Sequence, residues 1–153
     1  LFLTPVLNQT PYYMIAEKQD VLQMIPQKTP MDMVDGLIDS DKTSTTSRLV
    51  LTNQNIFCKN GYFQEPGLIE NIAQTAALRA GYETLKNKTK ATVGFIGAIK
   101  RLKIYALPDD ASTLYTTITV LTEVANATIV RGEVHVNSKL LATGEMSIFK
   151  QES

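Results

Sequence analysis

One stretch of the chain combines residues that could do acid–base chemistry with a helix that could hold them in place. Glu70 and Gln74 are four residues apart, so on a helix they lie one turn apart on the same side. A carboxylate this close to a helix start and beside so many small apolar residues is unusual, but acidic residues are also common in first turns because of the helix dipole. The spacing therefore leaves a functional site and a solvated helix end both open. The apolar residues recur at helical spacing and are called the alanine stripe here: Ile69, Ile72, Ala73, Ala76, Ala77 and Ala80.

Few other residues could supply catalytic or metal-binding groups. Cys58 is the only cysteine and His135 the only histidine, which excludes an internal disulfide and any site built from several cysteines or histidines. Cys58 could act as a nucleophile, but a lone cysteine near apolar residues is more often a small hydrophobic side chain. We expect neither a metal site nor a cofactor.

Length and charge limit the classes of protein to consider. The 153 residues suffice for one domain with a core, and 15 basic residues balance 15 acidic ones. Without a basic run we expect no nucleic-acid partner, and without an apolar run of about 18 residues no membrane span. The single cysteine fits a reducing compartment, so we predict a cytoplasmic protein. Residues 1–14 do not resemble a signal peptide and are interpreted as a tail or an arm against a partner, which leaves 15–153 as a single domain.

Periodicity and turn residues predict one long helix among antiparallel strands. A short helix over 16–25 ends at Pro26, and the long helix runs from Pro66, which suits a first helical position, to about Lys86. This order gives an α+β layout in which the long helix lies across an antiparallel sheet, and we expect the alanine stripe to face that sheet. Strands are expected at residues 31–39, 43–52, 92–107, 113–124, 128–136 and 140–150, with a bend in the third at Gly94 or Gly97.

Five segments in this order resemble motifs of the 3-hydroxyacyl-[acyl-carrier-protein] dehydratases. That family has the hotdog fold, in which a curved antiparallel sheet wraps a central helix. The match covers most of residues 25–149 and is closest to divergent members from the aryl-polyene or flexirubin-type pigment clusters of bacteria. The segments are MIPQKTPMDMVDGLID at 24–39, NIFCKNGYF at 55–63, GLIENIAQTAALRAGY at 67–82, VGFIGAIKRLKIYALPDD at 93–110 and LLATGEMSIF at 140–149.

The resemblance implies a site at the start of the long helix. Glu70 matches the carboxyl group that assists at the substrate hydroxyl in this family. Tyr62 falls where the family has its catalytic histidine, because Gly-Tyr-Phe at 61–63 stands in place of Gly-His-Phe. A phenol keeps its proton near neutral pH, so we expect Tyr62 to donate a hydrogen bond or act as an acid rather than as a base. The predicted substrate-binding set is Asn60, Gly61, Gly67 and Gln74.

Three hypotheses for the function follow. The chain is a dehydratase that uses Glu70 with an altered partner, a hotdog thioesterase in which Glu70 orients water, or a non-catalytic acyl-binding or partner subunit. The implied substrate is a thioester of acyl carrier protein or of coenzyme A. The family pairs two hotdog chains and builds each site from both, so we predict a homodimer in which the loop 55–64 of one subunit approaches the other.

For two groups of polar residues, an interpretation without a role in function is also open. We expect Gln74 to make a polar contact to the loop or across a dimer rather than to act in catalysis. Asn60 precedes Gly61, a pair that first of all predicts a turn. The basic residues Lys100, Arg101 and Lys103 could meet the acidic helix of a carrier protein or a pantetheine phosphate, but such a cluster at a strand end is more often only solvated.

Overall fold

The computed structural model describes residues 13–90 and 94–151. Residues 92 and 93 of the third predicted strand, and the predicted tail except Tyr13 and Met14, lie outside this part of the chain. Within it, two helices and eight strands follow one another along the sequence. They are α1 (Lys18–Met24), β1 (Gly36–Ser40), β2 (Ser44–Val50), β3 (Cys58–Lys59), β4 (Tyr62–Phe63), α2 (Glu65–Asn87), β5 (Gly94–Ile104), β6 (Thr113–Val124), β7 (Ala127–Val136) and β8 (Lys139–Lys150).

Six of the strands form one antiparallel sheet in the order β1-β2-β6-β7-β8-β5. The long helix α2 packs on one face of this sheet, mainly against β2, β6 and β7. Side chains alternate between the two faces of each strand, and in β6 the buried members are Leu114, Thr116 and Ile118. The sheet with its central helix is the α+β hotdog arrangement that the sequence predicts.

The strand bounds agree best with the prediction where β-branched residues alternate. The prediction is confirmed for β6, and β7 and β8 each begin one residue earlier than predicted, at Ala127 and Lys139. In β5 the register against β8 shifts between Ile96 and Ala98, so the expected irregularity falls at Gly97. Gly97 is needed there because the ring of Phe149 occupies the direction in which a Cβ would project.

The strand predicted at residues 31–39 begins only at Gly36. The middle of the preceding segment is bound to α2, because the backbone N–H of Met33 donates to Gln74 Oε1 over 2.6 Å and its carbonyl accepts from Asn71 Nδ2 over 2.8 Å. Only its end reaches the sheet, where the N–H of Asp35 donates to the Arg48 carbonyl over 2.8 Å. The alternation of apolar and polar residues in this segment therefore reflects packing against a helix rather than a strand.

The helix α2 turns only part of its alanine stripe to the sheet, where Ile72 packs against Gly132 of β7. Within the alanine stripe Ile72 and Ala76 are buried, but Ala73 and Ala77 are only half-buried and Ala80 is exposed. The expectation that the whole stripe faces the sheet is therefore wrong for its outer members. The side that meets the strands carries a polar row of three buried residues at helical spacing, Asn71, Thr75 and Arg79.

Enlarging Ala76 should destabilise the protein. Ala76 is 8% exposed and belongs to the main core, so Ala76→Leu is expected to overpack that core and to lower the free energy of unfolding by roughly 1–3 kcal/mol. Chemical denaturation measures the change. The control is Lys86→Leu, which places the same side chain at an exposed position of the same helix and should change stability by less than about 0.5 kcal/mol. Equal stability of the two variants would contradict the burial of Ala76.

Neither helix of the described residues carries an apolar stretch that could cross a lipid bilayer.

Candidate functional site

A short hairpin leads the chain into the long helix. The strands β3 and β4 pair Cys58 with Phe63 and Lys59 with Tyr62. The two residues between them, Asn60 and Gly61, have φ angles of 55° and 85°. Positive φ at both central residues defines the tight hairpin turn that Asn-Gly favours. The turn at Asn60 is therefore as predicted, but the two short strands that flank it were not predicted.

The hairpin is anchored to the connection between β5 and β6. The backbone N–H of Phe63 donates to the Pro108 carbonyl over 2.8 Å, and the N–H of Asp110 donates to the Gly61 carbonyl over 3.0 Å. Phe63 is fully buried, whereas the neighbouring Tyr62 is 50% exposed. The hairpin thus holds the Tyr62 side chain at the surface, close to the chain at Asp109, with which Tyr62 forms an isolated β-bridge.

Gly67 permits a close contact between the hairpin and the first turn of α2. A Cβ at this position would lie 2.5 Å from the ring of Phe63 and 2.8 Å from the Cβ of Phe57, nearer than side-chain atoms can approach. The two phenylalanine rings themselves meet edge to face, with centroids 6.5 Å apart. Packing therefore gives one sufficient reason for glycine at this position, and the contact of Gly67 with substrate stays a prediction.

Glu70 and Gln74 are in direct contact, as their spacing predicts. Gln74 Nε2 donates to Glu70 Oε1 over 3.0 Å. Glu70 is half-buried, at the margin of the helix surface that the chain covers. The arrangement holds one oxygen of the carboxylate while the group as a whole stays within reach of solvent.

Gln74 is fully buried, and its amide is saturated by the protein. Besides Glu70, Nε2 donates to the Met31 carbonyl over 2.9 Å, while Oε1 accepts from the N–H of Met33. These bonds leave no amide hydrogen for a ligand. The structure thus supports the polar contact to the preceding loop, and the predicted contact of Gln74 with substrate finds no support in this geometry.

Cys58 lies beside this site without the properties of a nucleophile. Burial raises the pKa of its thiol, and the nearby Asp110 carboxylate raises it further. The neutral thiol is therefore favoured near pH 7, whereas nucleophilic cysteines need the thiolate. Cys58 packs against the main core, which agrees with the role of a small hydrophobic side chain.

His135 is placed on a late strand, as the sequence predicts. It lies in β7 opposite Tyr115 of β6. Its neighbours Val134 and Val136 pack toward the main core, so the alternation puts His135 on the other face of the sheet from α2. The structure therefore does not bring the only imidazole of the chain to Glu70.

The basic residues of β5 are only partly available to a partner. Arg101, which has a positive φ of 52° in an irregular part of the strand, donates to Glu145 over 2.9 Å, and Arg131 also approaches that carboxylate, at 3.9 Å. Lys100 and Lys103 are exposed. Among the described residues no group of three or more His, Cys, Asp or Glu side chains is arranged to hold a metal ion.

Sequence reasoning missed Asn71, which directly follows Glu70. Asn71 is fully buried and binds both the Met33 carbonyl and the Thr116 hydroxyl. A signal was present, because polar residues recur at 71, 75 and 79 with the period of a helix. Without the positions of their partners, however, such a row is typical of a solvated helix face.

The fold and the site together define a hotdog-fold protein with a carboxylate in the second turn of its central helix. The profile of the ApeP-like family, described as ApeP dehydratase, matches residues 19–153, and the chain belongs to this family.

Individual relatives agree with this assignment. The chain is 28% identical over 144 residues to the 3-hydroxyacyl-[acyl-carrier-protein] dehydratase FabZ of Pseudoalteromonas translucida, which covers 88% of this chain and 93% of that protein. It is similar in fold to a chain of the dehydratase heterocomplex ApeI:P from Xenorhabdus doucetiae, with a TM-score of 0.80, 16% identity and coverage of 87% of this chain and 91% of the other. A hypothetical thioesterase from Streptococcus pneumoniae also shares the fold, with a TM-score of 0.61, 7% identity and coverage of 76% and 90%.

Proposed function

We propose that this protein dehydrates a 3-hydroxyacyl thioester carried by acyl carrier protein, in the biosynthesis of a fatty acid or a polyene. Membership of a dehydratase family supports the reaction, and the relative from Pseudoalteromonas translucida supports the carrier. The observation that carries the proposal is the contact between Glu70 and Gln74, which holds a solvent-accessible carboxylate near the start of the long helix.

The reaction removes a proton from C2 of the acyl chain and protonates the hydroxyl group that leaves C3. The Glu70 carboxylate would take the C2 proton as the base and then, as the acid, deliver it to the hydroxyl group, which leaves C3 as water. Donors at the start of a helix would stabilise the negative charge that develops on the thioester oxygen. Tyr62, half-exposed on the hairpin before the helix, would donate a hydrogen bond to the substrate. This chemistry needs no cofactor. We further propose that the protein acts in the cytoplasm, on a thioester of acyl carrier protein or of coenzyme A.

The experiment is incubation of the purified protein with a 3-hydroxyacyl thioester of acyl carrier protein and, separately, of coenzyme A. Growth of the conjugated enoyl-thioester absorbance supports the dehydratase. Release of free thiol without enoyl product would instead indicate a thioesterase, in which Glu70 would orient the attacking water. Glu70→Gln is the control for background reactions in both assays.

Tyr62 and His135 should contribute very differently to turnover. Tyr62→Phe is expected to lower kcat by roughly 2- to 13-fold, because a lost neutral hydrogen bond is worth about 0.5–1.5 kcal/mol. His135→Ala should leave kcat unchanged, because this histidine lies on the sheet face opposite to α2. Steady-state kinetics on the better thioester tests both. If His135→Ala alone abolished activity, the catalytic group would have to lie on the late strands.

A second candidate function is that of a partner subunit in a dehydratase of two different chains. Two observations favour it: the described site contains no histidine, and a relative of similar fold belongs to a dehydratase heterocomplex. The partner would be a hotdog chain with a histidine at the position of Tyr62. If this candidate is right, the isolated chain shows no turnover, and the mixed complex shows turnover that depends on Glu70 of this chain.

A further inference from the structure

The polar row Asn71, Thr75 and Arg79 lies between the long helix and the sheet, where the apolar spacing predicts alanines. The three residues are 0%, 0% and 9% exposed. They follow one another at intervals of four, so they form a single line along the helix that faces the strands. A buried polar side chain is costly unless each of its groups finds a partner, which makes those partners informative.

Asn71 joins the first end of the row to two separate parts of the chain. Its Nδ2 donates to the Met33 carbonyl over 2.8 Å, and its Oδ1 accepts from the Thr116 hydroxyl on β6 over 2.5 Å. Both ends of the amide are therefore bound, one by the segment before β1 and the other by the sheet.

The other two members of the row bind β2 and the turn before it. The Thr75 hydroxyl donates to the Asn71 carbonyl and lies 2.7 Å from the Ser47 hydroxyl. Arg79 Nη1 donates to Thr45 Oγ1 over 2.9 Å. Its guanidinium also binds the carbonyls of residues 41 and 42, in the turn between β1 and β2, and the carbonyl of Ser44, the first residue of β2. The row is thus satisfied along its whole length.

These bonds fit one rotation of the helix about its axis and no other. Apolar contacts are not directional. Ile72 and Ala76 of the alanine stripe already face the sheet, and a further turn of the helix would present the entirely apolar stripe, including its outer alanines, to the strands. Turning the whole stripe inward would remove the row from its partners and leave buried polar groups on β2 and β6 without hydrogen bonds. We propose that the polar row sets the rotation of α2 on the sheet, and that Asn71 is thereby a positioning residue for Glu70.

Glu70 depends on this rotation because it directly precedes Asn71. Successive residues of a helix are about 100° apart around its axis, so fixing the direction of Asn71 fixes that of Glu70. In the observed rotation the Glu70 carboxylate is half-buried at the margin of the helix, in contact with Gln74. This part of the inference rests on the proposed catalytic role of Glu70.

The test replaces two of the three members of the row by apolar residues of similar size, in the double variant Asn71→Leu/Thr75→Val, and leaves Arg79 in place. Methyl NMR with labelled alanine reports the rotation without any activity assay, because Ala76 lies in the core and Ala80 is exposed. The inference predicts that nuclear Overhauser effects between the sheet and Ala76 change and that new ones reach Ala80. It also predicts a fall in kcat of about 10²-fold, as a small misplacement of a catalytic group can cause, with KM nearly unchanged.

The matched control is Leu78→Ala, which removes a fully buried side chain from the same helix and leaves the row intact. Apart from the new methyl group at position 78, the contacts of Ala76 and Ala80 and the kcat should match those of the wild type. Unchanged alanine contacts in a folded double variant would overturn the inference, and altered contacts with an unchanged kcat would overturn the positioning of Glu70. If the double variant does not fold, the single variant Thr75→Val is measured in the same way, and the same outcomes decide the inference. A wild type without turnover would reject the proposed function, and the NMR result would still decide the role of the row.

Discussion

Replacing Glu70 by glutamine should lower turnover by about 10²- to 10⁴-fold, the loss typical of a missing acid–base group. The fold should be unaffected, because the new amide oxygen can still accept the hydrogen bond that Gln74 Nε2 donates to the carboxylate over 3.0 Å. Stopped-flow or steady-state detection of the enoyl thioester measures kcat, and thermal unfolding of the same sample checks that the protein is folded.

The matched control for this variant is Glu65→Gln. Glu65 is an exposed carboxylate in the first turn of the same helix, so the substitution removes the same charge from the same helix end. It should change kcat by less than about five-fold, because a helix-dipole interaction at an exposed position contributes at most about 1 kcal/mol and screening reduces it. Equal losses in the two variants would mean that Glu70 acts only through the charge of the helix end. Full activity of Glu70→Gln would reject it as the base and acid.

Introducing lysine at Ile99 should dissociate the homodimer that we propose. β5 is an edge of the sheet, and its apolar side chains remain exposed in the single chain: Ile96 is 40%, Ile99 39% and Phe95 54% exposed. Ile99 is opposite the buried Met146, so it lies on the face of the sheet that carries α2, beyond the cover of that helix. An exposed apolar edge strand of this length is normally covered by another element or another chain. The outer members of the alanine stripe lie on the side of α2 that a second copy could contact.

A buried lysine at the centre of an interface typically costs 2 kcal/mol or more, so the dissociation constant of Ile99→Lys should rise by at least about 30-fold. Light scattering during size exclusion at micromolar concentration measures the assembly. Val50→Lys is the control, since Val50 is 47% exposed on β2 and should leave assembly unchanged. A wild type that is monomeric under these conditions would contradict the homodimer, and binding to a different hotdog chain would then favour the two-chain complex.

Several parts of this protein follow from its sequence without any coordinates. The alternation of β-branched residues predicts β6 to β8 closely, the Pro-Gly and the helical spacing predict α2, and Asn60-Gly61 predicts its turn. These features are local, because strand, helix and turn preferences act within a few residues. The contact between Glu70 and Gln74 belongs to the same class, since a spacing of four residues places the two side chains together on any helix.

The side that the long helix presents to the sheet was decided only by the tertiary structure. The sequence contains two candidate sides, the alanine stripe and the polar row, and hydrophobic periodicity favours the stripe. The partners that make the row the better choice are far away along the chain: Met33 is 38 residues from Asn71, and Thr116 is 45 residues from it. The same is true of the segment before β1, whose hydrogen bonds go to Gln74 across 41 residues. Buried polar groups are directional and must be satisfied by whatever the fold brings near them, so their positions become known only with the fold.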